Sequence, residues 1–428
     1  MHTWIVAHSE TLCNFLIPLL IGFSDAQKRH ALNFIEAILI CPSKHKTLAT
    51  LTRWLRLDHA DEYALADFFR RSPWEAGPVQ QAVTVFLLRV VSQIQAKTGW
   101  RLLFLSIDDS LCQKDVATSA LEAVGLHYDH VTQRRQQGKC TNGSRYVSLH
   151  LQFGPVQFTL AWRLYLKRNQ VKQLNRERRG QGRPVLKYCK LVTLVEDMLD
   201  EIAPEIPTNC RVYVLFDAWY DNHHLLKFIR AHGWHWICAT RSNRRLSRYG
   251  LTQWWAHLGH QRLEHVSVRS ATRRHTYHTR HLVGRLRRYP DPVIAIISKR
   301  DRRDHTPAYF LCSDLSLSVR CILKYYSYRW QAEVDNWWLK ERLGLADYRL
   351  QSVEAILNWH ALVFAAYAFL QYQRVLPLLT DPQATLQPLG EVLATHQRWH
   401  ARQTVHHIAR LIWQGMSLAE LVAALVPT

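Results

Sequence analysis

Three short stretches carry side chains that could do chemistry together. The first is residues 324–345, KYYSYRWQAEVDNWWLKERLGL, which has no Pro and no Gly before Gly344. Read as one helix stopped by Gly344, it stacks Tyr326, Arg329, Glu333 and Lys340 on one face, because steps of three, four and seven return to the same side. That face carries a carboxylate, two cations and a phenol. A solvated ion-pair surface is the competing reading, although Trp330, Trp337 and Trp338 crowd a helix that is also strongly charged. The other two stretches are apolar runs that end in Asp. Residues 102–107 lead into Asp108-Asp109-Ser110, and residues 211–216 lead into Asp217-Ala218-Trp219-Tyr220. A continuous apolar run of this length fits a strand buried on both faces. Taken alone, an Asp at a strand end is equally compatible with an ordinary turn.

The spacing Tyr-x2-Arg-x3-Glu-x6-Lys resembles the signature of the Tyr-Arg-Glu-Lys group of DDE transposases, encoded by bacterial insertion sequences. In that group the Glu is the third metal-binding carboxylate of an Asp-Asp-Glu site. The family writes its first position as Asp-x-Thr/Ser at the end of the first strand, which registers on Asp108-Asp109-Ser110 with Asp109 as the alternate for Asp108. Asp-Ala-Trp-Tyr after a buried strand resembles the second position, on Asp217.

The resemblance implies that Asp108, Asp217 and Glu333 are catalytic and hold two Mg²⁺ ions, with Mn²⁺ able to substitute. Paired ions about 3.5–4 Å apart need shared carboxylates, and an oxygen-only donor set suits Mg²⁺ or Mn²⁺ better than Zn²⁺. One ion would activate water, and later a DNA 3′-hydroxyl, for attack on phosphorus; the other would stabilise the leaving oxygen. Tyr326, Arg329 and Lys340 would grip phosphates near the transposon end, and Trp254 and Trp255 are the candidates to receive a flipped base. The implied activity is cleavage at transposon ends and strand transfer by cut-and-paste transposition. Its partners would be double-stranded DNA (terminal inverted repeats and target) and a second copy of the chain in a synaptic complex. A ribonuclease-H-like host nuclease and a domesticated, non-catalytic DNA-binding protein are the alternatives; the intact acidic set speaks against the second.

These residues need a scaffold that brings them together. The order strand, strand, strand, helix, strand, helix, strand over residues 99–241 is that of the ribonuclease-H-like fold, an α/β (α+β) mixed sheet whose fourth strand lies beside the first. Asp108 and Asp217 would then end at one sheet edge, where α/β folds place their sites. Residues 147–153 and 158–164 alternate apolar and polar around Gly154-Pro155 and read as a hairpin. Residues 116–142 read as loop, with Arg134, Arg135 and Lys139 near its end. Residues 167–183 read as a basic loop that contacts phosphates or is merely solvated. Residues 242–316 alternate in β fashion between basic clusters and resemble an all-β insertion into the catalytic domain, which resumes at 317–372. A helical N-terminal DNA-binding domain over 1–98, with Ser43 as a helix cap, and a C-terminal helical region over 373–428, with helices near 386–399 and 405–425, complete the expected plan.

Composition agrees. The chain has 428 residues, long enough for two or three domains. Its 55 Lys+Arg against 34 Asp+Glu give +21, which favours a polyanionic partner such as nucleic acid. With 48% hydrophobic residues the charge sits on a cored protein rather than a basic tail. Nine scattered cysteines with no Cys-x-x-Cys suggest neither a zinc ribbon nor a disulfide framework, and fit a reduced, cytoplasmic, nucleoid-associated protein. The apolar run 12–23 is too short for a bilayer span and has no basic leader, so neither a membrane partner nor a signal peptide is expected. Residues 355–372 read as a core helix. His275, His278 and His281 have the spacing of metal ligands, but steps of three on a strand put neighbours on opposite faces.

Overall fold

The computed structural model describes residues 7–54, 62–128, 140–258, 263–269, 274–300 and 306–425. Arg134, Arg135 and Lys139 lie outside them.

Five helices open the chain: α1 (Glu10–Leu16), α2 (Asp25–Ile40), α3 (Leu48–Thr52), α4 (Glu62–Arg70) and α5 (Ala76–Thr98). Local chemistry sets their starts. Ser24 and Gln27 form a reciprocal capping box on α2. Thr47, not Ser43, caps α3, because its hydroxyl reaches the Thr50 amide.

A mixed sheet follows: β1 (Leu102–Gln113), β2 (Gly125–Tyr128), β3 (Cys140–Phe153), β4 (Val156–Tyr165), β5 (Arg211–Phe216) and β6 (His235–Thr240). Helices α6 (Arg168–Gly180), α7 (Leu191–Ile202) and α8 (His223–Ala231) connect them. β1 pairs antiparallel with β3 and parallel with β5, β4 pairs with β3, and β5 runs parallel to β6. The order β4-β3-β1-β5-β6 is the ribonuclease-H-like arrangement expected from the sequence. The sheet does not end at β6. After the short pair β7 (Arg245–Leu246) and β8 (Tyr249–Gly250) and helix α9 (Leu251–Leu258) come β9 (Glu264–Arg269), β10 (Arg274–Arg285), β11 (Pro292–Lys299) and β12 (Ala308–Cys312). β12 pairs antiparallel with β6, and β11, β10 and β9 follow, so the strands of the inserted region continue one ten-stranded sheet. The apolar run of β6, Trp236 to Ala239, thereby gains a paired edge rather than an exposed one.

The chain closes with α10 (Val319–Ser327), α11 (Trp330–Trp337), α12 (Val353–Val375), α13 (Leu389–Trp413) and α14 (Leu418–Leu425). Helix α12 is apolar on every side and buried nearly throughout, as such a helix must be. It packs on α2, α4, α5, α13 and β4. Among the described residues, Val353–Leu379 is the one segment long and apolar enough to cross a membrane, and it lies within this core.

Several local expectations change. β1 does not stop at Asp108-Asp109 but runs five residues beyond Asp108, paired with β3 as far as Gln113↔Gly143. Residues 168–180 are helical rather than a loop: Val171, Leu174 and Arg178 form a buried stripe that the surrounding charge conceals in the sequence. Arg178 and Arg183 are tied to Glu122 and Glu354 at 2.6–3.0 Å, so these cations serve the fold. Residues 125–128 within the expected loop form a strand on the end of β3. The C-terminal region is one long helix, α13, followed by α14.

His360 lies in the middle of α12, fully buried, with neither ring nitrogen hydrogen-bonded. It stands edge-on to Tyr146, Trp162 and Tyr348. Burial, helped by the Lys114 charge, lowers its pKa from 6.5 to about 3. The unfolded chain therefore binds a proton that the fold refuses, and stability falls as pH drops below 6.5 towards 3. His360→Phe should remove roughly 2 kcal/mol of the loss between pH 7.5 and pH 5, read by urea denaturation. Equal losses in the two proteins would mean that His360 is protonated in the fold.

Candidate active site

Strand alternation decides which carboxylates meet. On β1, Leu103, Leu105 and Ile107 face the main core, while Phe104 faces a second, smaller core with Tyr213, Leu215, Ile237, Ile322 and Leu323. Two-residue periodicity puts Asp108 on the Phe104 side and Asp109 on the other. On β5, Tyr213 and Leu215 belong to the same smaller core, so Asp217 emerges on the same face as Asp108. The parallel register ends at Ser106↔Leu215; two residues further it sets Asp108 opposite Asp217, with the strands about 4.8 Å apart. Because β5 stops at Phe216 while β1 continues, the ladder opens at this point and leaves room beside both carboxylates.

Helices α10 and α11 cross this opening. Tyr325 and Tyr328 pack edge-on to Phe104 at 4.8 and 4.9 Å and fix the approach. The 324–345 segment is not one straight helix. At Tyr328 and Arg329 the backbone tightens to three-residue hydrogen bonds, Tyr328 to Tyr325 and Arg329 to Tyr326. This turn aims the Arg329 guanidinium into the opening. Arg329 Nη1 donates to Asp108 Oδ1 at 3.1 Å, and Nη2 donates to Glu333 Oε1 at 2.9 Å. Asp217 completes the group: its charge acts on both Asp108 and Arg329. Asp108 and Glu333 thus share one guanidinium, on which the Asp217 charge also acts.

Asn336, one turn beyond Glu333, donates from Nδ2 to Asp108 Oδ2 at 3.1 Å and accepts from the Tyr146 hydroxyl at 3.0 Å. Burial, with the charges of Asp109 and Asp217, raises the Asp108 carboxyl to about 7 against the pull of Arg329 and His150. Hydrogen bonds from Arg329 and Asn336 to its two oxygens favour the ionised form. Asp109 faces away, accepting from the Tyr220 hydroxyl at 3.2 Å and lying 3.5 Å from Arg145. The opposite side of α11 is anchored by Asp335, 1% exposed. It meets His150 at 2.8 Å, and accepts from Tyr367 at 2.8 Å, Gln331 at 2.9 Å and Thr159 at 3.3 Å.

The remaining sequence candidates spread more widely. Tyr326 stands edge-on to Phe310 of β12, 4.9 Å away, with the Arg329 guanidinium 6.0 Å from its ring. Residues 338–342 form a π turn, which slips Lys340 off the α-helical face of Glu333. The charge of Lys340 acts instead on Cys112, four residues past Asp108 on β1 and so on the order of 13 Å along it. Gly344 closes the segment at φ 72°, while the Leu345 amide returns to Leu339. Trp254 is half-buried, with its indole N–H on the Leu246 carbonyl at 3.0 Å, and Trp255 lies under the Lys299 ammonium at 5.0 Å. Neither touches the carboxylate group. Trp219, 49% exposed, stands next to Asp217 and lines a cleft of about 420 Å³ with Asn222, Arg241 and Arg244.

Asn336 and Asp335 escape a reading by motif, since only their neighbour Glu333 belongs to the spacing. Their signal was present in the steps of three from 333 to 336 and of four from 331 to 335.

Residues 18–289 match the family model of the DDE superfamily endonucleases. The chain belongs to this family. The matched span contains Asp108 and Asp217 and ends before Glu333. A search of the curated proteins finds no match. Membership supports a nuclease- or transposase-type function with DNA as substrate, and DDE endonuclease domains generally use divalent metals. The donor chemistry fits such ions: Asp108 and Glu333 share one guanidinium, the Asp217 charge acts on the same group, and one cation leaves three carboxylates short of balance.

Two outcomes follow for this DDE endonuclease. Asp335→Ala should destabilise it by about 3–5 kcal/mol in urea denaturation, the cost of stripping one partner from a buried charged network. A loss below about 1 kcal/mol would mark the cluster as solvent-screened. Arg329→Gln should leave the three carboxylates unbalanced, lowering the melting temperature in chelator, with added Mn²⁺ restoring more stability than it gives the wild type. An unchanged response to Mn²⁺ would separate Arg329 from the ion-binding group.

Proposed function

We propose that this DDE endonuclease is an insertion-sequence transposase of the Tyr-Arg-Glu-Lys group, cutting DNA at transposon ends and transferring the strands by cut-and-paste. The observation that supports the proposal is Arg329 bridging Asp108 and Glu333, with the Asp217 charge acting on both Asp108 and Arg329. Asp108, rather than Asp109, is the first ligand in this proposal, because Asp109 faces Tyr220 and Arg145. The three carboxylates would hold two Mg²⁺ ions, or Mn²⁺ in their place. When bound, the ions activate the attacking oxygen and stabilise the leaving one.

The chain's own residues do the positioning. Asn336 holds the Asp108 carboxylate in one rotamer. Asp335 locks α11, and with it Glu333, against the sheet. Arg329, with two donors already engaged by carboxylates, is placed to pair with a phosphate when ions take over those carboxylates. Lys340, further along β1, is assigned to a phosphate outside the reacting pair, and Tyr326 supports Arg329. Of the two expected base acceptors, Trp255 keeps that role here more readily than Trp254, whose N–H is committed to Leu246. Residues 1–98 are assigned to end recognition, and a homodimer to the synaptic complex.

Paired assays on two variants test this. Glu333→Gln should abolish cleavage at any Mg²⁺ concentration while end DNA still binds, since the amide keeps the size and loses the charge. Lys340→Ala should weaken binding, reduce the salt slope by about one unit, and allow cleavage to recover at high protein concentration. The wild-type slope itself should be steep, about −0.9 per phosphate neutralised. A folded Glu333→Gln protein that still cuts DNA would remove Glu333 from the site. Cleavage without any joined product in the wild type would favour the host-nuclease alternative.

A further inference from the structure

A second cluster of ligand-type side chains lies far from the carboxylate opening, where the C-terminal helix crosses the N-terminal helices. Glu36, in the middle of α2, is fully buried. Its Oε1 accepts from the Ser9 amide at 3.0 Å, just ahead of α1. Its Oε2 is met by two imidazoles from α13: His396 Nε2 at 2.9 Å, and His400 Nε2 in still closer contact. His396 and His400 are 8% and 3% exposed. One ligand atom from each of the three residues lies within 4.8 Å of the others.

Three physical points bear on what this cluster is for. First, histidines four apart on a helix present both Nε2 atoms to one point, the chelating arrangement used on helices for transition metals. Second, the buried Glu36 carboxylate has no Arg or Lys partner among the described residues; its ion pairs are to the two histidines alone. A buried carboxylate needs a positive charge beside it, and a bound cation would supply one. Third, His400 Nδ1 is buried without a hydrogen-bond partner, so Nε2 is the nitrogen through which this ring makes its polar contact.

We propose that Glu36, His396 and His400 form a structural Zn²⁺ site that fastens α13 to α2. Two imidazoles and a carboxylate make a borderline donor set, which suits Zn²⁺ and distinguishes this site from the all-oxygen set at Asp108, Asp217 and Glu333. Tetrahedral bonds of about 2.0–2.1 Å put ligand atoms roughly 3.4 Å apart, within the spread of the cluster. The site joins residues 36 and 396–400, so it ties the two ends of the chain together. A further polar tie at this crossing runs from Gln397 to the Leu39 carbonyl, at 2.9 Å. The rings are held by aromatic neighbours: Phe369 against His396 at 5.5 Å and Trp399 against His400 at 4.7 Å.

The full-length chain carrying Asp108→Asn and Asp217→Asn isolates this site from the carboxylate group. After gel filtration it should contain about one zinc per chain by elemental analysis. Zinc-edge X-ray absorption should show imidazole scattering. A strong chelator should lower the melting temperature, and added Zn²⁺ should restore it. His400→Gln and Glu36→Gln in the same background should lose the metal. Glu36→Gln keeps a hydrogen-bond acceptor, so a purely hydrogen-bonded cluster would leave it folded with its chelator response matching the parent's. Absence of zinc as purified, with no uptake of added Zn²⁺ or Co²⁺ by the folded protein, would overturn the proposal. So would an unchanged zinc content in folded His400→Gln.

Discussion

The candidate site depends on one partly buried cation. Asp108, Asp217 and Glu333 are like charges gathered at one opening, with Asp108 largely shielded from water. Such a group would fly apart or protonate without compensation. Arg329 supplies it with two direct hydrogen bonds, from a position where the polypeptide tightens between two helices. The guanidinium suits the task because its planar fork engages two carboxylates at once and stays charged when buried. Burial works against its charge, but Tyr326 and the three carboxylates raise its pKa, so the carboxylates help to keep the guanidinium charged.

This arrangement requires that the sheet and α11 share a fixed frame. The sheet contributes by ending one strand and not its neighbour. Had β5 continued alongside β1, paired backbone would have filled the space where the carboxylates meet. The helix contributes through Asp335, whose four partners come from β3, β4, α11 and α12. A displacement of α11 by one rotation step would strand the Asp335 charge in the core, so the network specifies orientation as well as contact. Continuation of the sheet through β12 to β9 keeps the β6 edge covered on the side away from β5.

Much of this was legible in the sequence, for physical reasons. Strands buried on both faces write themselves as uninterrupted apolar runs, so β1 and β5 and the Asp residues that close those runs stood out, although β1 itself continues past Asp108 to Gln113, and with them the strand order of the ribonuclease-H-like half stood out. The Asp108/Asp109 doublet could not be resolved by pattern, because choosing between them needs to know which face α11 covers. The rest was hidden by competing signals. Helix α6 looked like a loop because its buried stripe includes Arg178, whose charge is neutralised only by Glu122 and Glu354, 56 and 176 residues away. The break at Tyr328–Arg329 and the π turn at 338–342 left no Pro or Gly in the sequence, since both use ordinary residues in slightly altered hydrogen bonding. Residues 242–316 showed their strands clearly, but whether these form a separate layer or extend the existing sheet depends on the β6–β12 pairing, which alternation cannot announce.

The charge distribution then links the site to its substrate class. The net +21 is carried by a chain in which several acidic side chains are already paired with arginines: Glu122 and Glu354 to Arg178 and Arg183, Asp314 to Arg211, Asp221 to Arg244, Asp109 to Arg145. Each pair cancels one charge of either sign, so the excess of positive charge rests on the remaining bases. DNA is drawn to such a surface over long range. At the carboxylate opening, however, a phosphate meets negative charge at close range, and one guanidinium already shared between two carboxylates cannot offset both them and a phosphate. Productive approach there requires added positive charge. If the site works as proposed, divalent ions would supply that charge and at the same time free Arg329 from the carboxylates it contacts. Ion binding and phosphate binding at this opening would then be coupled with the same sign, each making the other more favourable. That coupling follows from the position of Arg329 among Asp108, Asp217 and Glu333, whatever DNA end the protein prefers.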